Sequence, residues 1–188
     1  LQTTFNDWLE HPAIKYRGTS TTDPVSELNR RIAAGEFALK LEGESGYLRS
    51  LLEALNVPIT SQIAVFAKDS AQASRITARN PRAIFFNDSV AVGWVRGGFI
   101  EIASQDPKLG TVFYTLDPVT TDTPLPNRSD GCVTCHYNYA TLAVPGMLVR
   151  SAGQYKVDQN TPLEKRWGGW YVTGQLGSNQ HVGNVEID

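Results

Sequence analysis

The sequence predicts an α+β fold: N-terminal helices and a small antiparallel sheet, followed by a helix and loop segment that holds the chemistry. Three observations predict it. Stretches of helical apolar spacing with capping signals fall before residue 57. Short β-branched or aromatic runs lie between residues 63 and 116, punctuated by turn residues. Both cysteines of the chain then stand together at 132 and 135, beyond a polar, proline-broken connector.

Taken in order, residues Thr3 to Glu10 have the pattern of a short helix that buries Phe5, Trp8 and Leu9, with His11-Pro12 breaking it. Asp23-Pro24 reads as an N-cap followed by proline at the first helical position. Val25, Leu28 and Ile32 then recur at near-helical spacing until Gly35 supplies a stop, which predicts a helix over 24–34. A second helix is expected from Ser45 to Asn56, where Tyr47, Leu48, Leu51, Leu52 and Leu55 form one wide apolar face and Val57-Pro58 ends it.

The period then changes from helical to extended. Residues 63–67, 83–86, 90–95, 99–103 and 112–116 are the expected strands, separated by Asn80-Pro81, Asn87-Asp88, Gly97-Gly98 and Asp106-Pro107. Asn87-Asp88 and Gly97-Gly98 sit where hairpin turns belong, and those turns favour residues that tolerate positive φ. Residues 118–130, with prolines at 118, 124 and 126, read as a connector between an α+β part (1–117) and a segment of different character (131–188). Length favours treating the 188 residues as a single domain.

A net charge of −2 with charges of both signs interspersed argues against a nucleic-acid binder or a polybasic membrane anchor. No apolar run approaches the length of a membrane-spanning helix, and polar residues follow residue 1 at once, so neither such a helix nor a signal peptide lies within these residues.

The stretch Gly131-Cys132-Val133-Thr134-Cys135-His136-Tyr137 is the pattern of covalent haem c attachment. Two thiols separated by two residues can each add to one of two vinyl groups on the same porphyrin edge, and the next His then lies under the iron as proximal ligand. Scattered at random, two cysteines and three histidines fall in this arrangement about 1 time in 6000. A structural zinc site wants four thiolate or imidazole ligands. Thioredoxin-like chemistry would put the pair at a helix N-terminus after a strand, whereas the polar run from Thr120 to Asp130 precedes it here.

Beyond the motif, Tyr137 to Leu142 read as a continuation of the helix begun at the cysteines, turned by Val144-Pro145-Gly146. The aromatic, glycine-rich run around Arg166-Trp167-Gly168-Gly169-Trp170-Tyr171 suits a haem wall. Arg150, Arg166, Trp167 and Trp170 are candidate donors to the propionates. For the iron's second axial position the candidates are His181, Met147, His11 or none, with His181 favoured because it lies in a glycine-bounded loop far enough along the chain to reach the opposite haem face.

At the motif the chain resembles c-type cytochromes. Over nearly its whole length it resembles uncharacterised bacterial cytochrome c domain proteins of Planctomycetes and Acidobacteria. That wider resemblance rests on His11-Pro12-Ala13-Ile14, Asn80-Pro81-Arg82-Ala83, Val92-Gly93-Trp94-Val95, Phe113-Tyr114-Thr115-Leu116, Val144-Pro145-Gly146 and Arg166 through Gly174. The resemblance implies an exported protein, periplasmic or extracellular, whose leader has been removed, and it favours His181 over Met147. It also raises the expectation that the chain is part of a larger cytochrome.

The expectation that follows is a monohaem electron carrier working between redox partner proteins. A gas sensor or peroxidase-like enzyme with an open sixth position is the alternative from another class. A third reading makes the haem segment a structural module within a larger or self-assembling cytochrome.

Overall fold

The computed structural model describes residues 9–65, 70–77, 79–118, 123–137 and 144–146. Helices α1 (Pro24–Ala33) and α2 (Leu48–Ala54) come first, then strands β1 (Ile63–Val65), β2 (Arg82–Phe86), β3 (Val90–Trp94), β4 (Ile100–Asp106), β5 (Gly110–Leu116) and β6 (Asn127–Arg128), and last a single turn α3 (Val133–His136). The strands form one antiparallel sheet in the order β1-β2-β3-β4-β5-β6, a meander in which every strand pairs with its neighbours in sequence. The α+β expectation, with helices before an antiparallel sheet, is met.

Local chemistry explains the element ends. The Asp23 carboxylate accepts from the Val25 and Ser26 amides, which would otherwise lack partners in the first turn of α1. At the other end Gly35 takes φ 72, and the amides of Gly35 and Glu36 donate to the carbonyls of Ile32 and Arg31. Helix α2 closes the same way, with Asn56 at φ 53 and the Val57 amide donating to the Leu52 carbonyl. Its start differs from expectation. Residues Gly43–Ser45 form a 3-10 turn, Gly46 follows at φ 61, and the α-helix begins only at Leu48. Of the helix expected over 3–10, residues 1–8 lie outside the described residues, and Leu9 is buried while Glu10 is exposed.

The hairpins form at the expected places. Between β2 and β3, Asn87 Oδ1 accepts from the amides of Ser89 and Val90, and its Nδ2 donates to the carbonyls of Leu55 and Asn56, tying the turn to the end of α2. Between β4 and β5, Asp106 Oδ1 accepts from the amides of Lys108 and Leu109, while Oδ2 accepts from the Thr22 amide and hydroxyl. Burial alone would raise this carboxyl, but the backbone donors more than offset it and hold Asp106 below the usual carboxylate range.

Register and side-chain alternation divide the sheet into two faces. On one lie Val90 and Val92 of β3, Ile100 and Ile102 of β4, and Val112, Tyr114 and Leu116 of β5. They meet Val25, Leu28 and Ile32 of α1 and Leu48, Leu51 and Leu52 of α2 in the main core. The Tyr114 hydroxyl donates to Asp23 Oδ2 at 2.6 Å, so the carboxylate that caps α1 also anchors the helix to the sheet. On the opposite face lie Ala91, Gly93, Glu101, Ala103, Phe113 and Thr115.

Residues 127–128, within the expected connector, pair with Thr115 and Tyr114 as β6. These two positions add a short strand to the sheet. The open edge of β5 offers unpaired amides and carbonyls, and that demand outweighs the weak strand propensity of Asn and Arg.

Candidate functional site

The outer edge of β5 organises the cysteine motif. After β6, the Ser129 amide donates to the Phe113 carbonyl at 2.8 Å, which delivers the chain to a 3-10 turn, Asp130–Cys132, and then to α3. Cys132 and Val133 both have right-handed helical dihedrals. The segment 132–136 is therefore one helical turn and a fraction. In such a turn positions i, i+3 and i+4 share a side, with Cβ atoms about 5–6 Å apart. Cys132, Cys135 and His136 occupy those positions. Val133 and Tyr137 are buried at 4% and 7% exposure, fastening the turn to the core while Cys135 stays exposed.

The helix ends sooner than the sequence suggests. Tyr137 is extended, at φ −134 and ψ 101, so the expected continuation does not pass through it. Tyr137 is buried, and the carbonyl just before it has a partner outside the helix. The His136 carbonyl accepts from the Gly146 amide at 3.1 Å.

His136 is gripped from two sides. Its ring lies against Phe113, with centroids 4.7 Å apart and planes tilted by 41°. Its Nδ1 lies 3.1 Å from the Gly146 carbonyl oxygen. A carbonyl can only accept, so Nδ1 carries the hydrogen, and in the neutral ring the lone pair then belongs to Nε2. Residues 144–146 that provide this carbonyl are themselves held on β5, because the Thr111 amide donates to the Pro145 carbonyl at 3.1 Å. The Thr111 carbonyl in turn accepts from the Tyr16 hydroxyl at 2.8 Å. Burial, only partly offset by the neighbouring Arg128 guanidinium, holds Tyr16 well above the ordinary phenol range, so the hydroxyl stays a donor.

The two cysteines are thiols rather than a disulfide. Burial pushes the Cys132 thiol up; the Ser129 hydroxyl, 3.5 Å from its sulfur, and the charge of Arg82 pull the other way, while Glu101 adds to the rise. A redox dithiol needs its attacking cysteine made more acidic, and Cys132 is shifted in the opposite direction. Arg82 and Glu101, which act on Cys132, form a largely buried ion pair at 3.0 Å, and Gln72 donates to the same Glu101 oxygen at 3.1 Å. Gly93 makes room for this pair: a Cβ there would stand 2.7 Å from the Arg82 guanidinium.

Among the described residues no three His, Cys, Asp or Glu side chains converge as a group that would hold a metal ion by themselves. His11 lies in an exposed turn, where its Nδ1 accepts from the Ala13 amide at 3.2 Å. Met147, Arg150, Arg166, Trp167, Trp170 and His181 lie outside the described residues.

The sequence reading missed Phe113, Ser129, Thr111 and the role of Gly146. Val144-Pro145-Gly146 stood out only as a turn, and nothing in a linear sequence joins it to Thr111. No protein-family model, curated protein or solved structure matches the chain.

Proposed function

We propose that this chain is an exported monohaem c-type cytochrome that carries single electrons between redox partner proteins, with haem c joined at Cys132 and Cys135 and His136 as proximal ligand. The observation that supports this most is the bond from His136 Nδ1 to the Gly146 carbonyl. It selects the tautomer in which Nε2 bears the lone pair a metal needs, and it fixes the ring plane, as outer-shell hydrogen bonds to ligating histidines generally do. Phe113 restricts the same ring from its face.

A bound haem c would supply a one-electron iron couple. The residues of the chain do the rest. The helical turn presents both thiols on the side of the imidazole, and the raised Cys132 thiol remains protonated at neutral pH, which disfavours disulfide exchange. His181 is the proposed second axial ligand, with Arg150, Arg166, Trp167 and Trp170 proposed as the haem wall and propionate donors. Two histidine ligands would set the potential below that of a histidine and methionine pair.

The test is the intact mass and the ferric spectrum of protein from a host that attaches haem c. A mass equal to chain plus one haem, lost in Cys132→Ala/Cys135→Ala, is expected. A colourless protein with the mass of the bare chain would sink the proposal. Low-spin ferric iron, unchanged by carbon monoxide after reduction in wild type but altered in His181→Ala, is expected for an electron carrier. High-spin iron with rapid carbon monoxide binding would move the assignment to a sensor or peroxidase-like enzyme.

A further inference from the structure

We infer that Gly110, the first residue of β5 and more than twenty residues before the cysteine motif, is a positioning residue for His136. The inference rests on the haem reading for its consequence but not for its geometry. Gly110 has φ +76, and a Cβ built on it would stand 3.1 Å from the Pro145 carbonyl oxygen and 3.4 Å from Val144 Cγ1. The first distance is too short for the neighbour to stay where it is.

What would have to move is the strap over 144–146. Its peptide group between Pro145 and Gly146 is bracketed: the carbonyl accepts from Thr111 and the amide donates to the His136 carbonyl. The next carbonyl, that of Gly146, receives the His136 Nδ1 hydrogen. A side chain at 110 would push the strap off β5 by a few tenths of an ångström, and a shift of the strap is passed on to the bond between the Gly146 carbonyl and the imidazole. Lengthening the Nδ1 bond weakens the ring as an electron donor and raises the potential of a bound iron.

Gly97 provides an internal control. It has the same φ, +76, but a Cβ there would meet nothing within 4 Å. Gly97→Asn therefore imposes the same left-handed backbone preference without touching the strap, and asparagine tolerates that region. In the haem-loaded protein, Gly110→Asn is expected to raise the reduction potential and shift the His136 Nδ1-H resonance, while Gly97→Asn keeps both at wild-type values. Pro145→Ala, which loosens the strap without altering residue 110, is expected to move both signals in the same direction as Gly110→Asn, and it stands in if that variant fails to fold. Equal behaviour of Gly110→Asn and Gly97→Asn, or wild-type signals in Pro145→Ala, would overturn the inference. If the protein proves colourless, the haem reading fails separately. Nitrogen-15 shifts of His136 in the bare chain still test the strap, with a smaller Nδ1-H fraction expected in Gly110→Asn and no change in Gly97→Asn.

Discussion

The two faces of the sheet are built differently. The helical face is held by apolar burial: Val25, Leu28 and Leu51 of the helices meet Val90, Val92 and Ile102 of the strands at 0–2% exposure, and a few polar ties, Asp23 to Tyr114 and Thr22 to Asp106 among them, set how α1 meets the sheet. The opposite face also buries apolar rings, Phe113 and Tyr137 with Val133, but along the outer edge of β5 backbone hydrogen bonds are added to that burial. Ser129 donates to Phe113, Thr111 to Pro145 and Gly146 to His136, with one ring contact between Phe113 and His136. Burial is non-directional and roughly proportional to area, so it stabilises without fixing any atom to a few tenths of an ångström. Hydrogen bonds are directional, so they fix atoms while contributing less net stability each. The difference teaches that both faces stabilise the fold by burial, while only the edge of β5 adds the directional bonds that orient an imidazole.

The largest effect that should break the comparison comes from matched truncations on the two faces. Phe113→Ala should cost about 3–5 kcal/mol and Leu51→Ala about 2–5 kcal/mol by urea unfolding. Only Phe113→Ala should also change the environment of the His136 ring, read by its proton and nitrogen-15 shifts. If Leu51→Ala moves those shifts as far, the faces are not separate.

Asp23→Ala should cost about 2 kcal/mol, because it removes the cap of α1 and leaves the buried Tyr114 hydroxyl with one partner fewer. The thermal midpoint should fall while the His136 shifts stay at wild type. A loss under about 0.5 kcal/mol would mean that the cap is replaced by solvent.

Acid sharpens the comparison by a smaller effect. The folded carboxyl of Asp106 sits below its unfolded value, so its contribution is present above about pH 4 and disappears as pH falls through the folded value. The difference in unfolding free energy between wild type and Asp106→Asn should therefore shrink between about pH 6 and about pH 3. A difference that stays constant with pH would show that Asp106 acts through geometry alone.

The smallest effect is at Ser129. Its hydroxyl pulls the Cys132 thiol down, against burial, so Ser129→Ala should raise that thiol further and slow its alkylation at neutral pH in the haem-free chain. Stability should change by less than about 1 kcal/mol, since the Ser129 amide that holds the segment to β5 is kept. Faster alkylation would reverse the assigned role of the hydroxyl.

Much of the helical side was legible in the sequence. Asp23-Pro24, the apolar spacing of Val25, Leu28 and Ile32, and Gly35 are all local signals, each acting within a few residues of itself. Asn87 and Gly97 marked hairpins for the same reason. The start of α2 was misjudged because an apolar face says where a helix packs and not where it begins; Gly46, at positive φ, decides that. The pairing of β6 was not legible, since it depends on what the edge of β5 lacked, nor was the brevity of α3, whose last carbonyl meets the Gly146 amide ten residues on.

By itself the sequence determined which atoms can do chemistry, two thiols and an imidazole in one helical turn, because covalent spacing along a chain is a local property. Only the tertiary structure decided which imidazole nitrogen bears the hydrogen. That choice belongs to the Gly146 carbonyl, next to the Pro145 carbonyl that the Thr111 amide holds on β5, and the bond from Thr111 to Pro145 exists only once the sheet has formed.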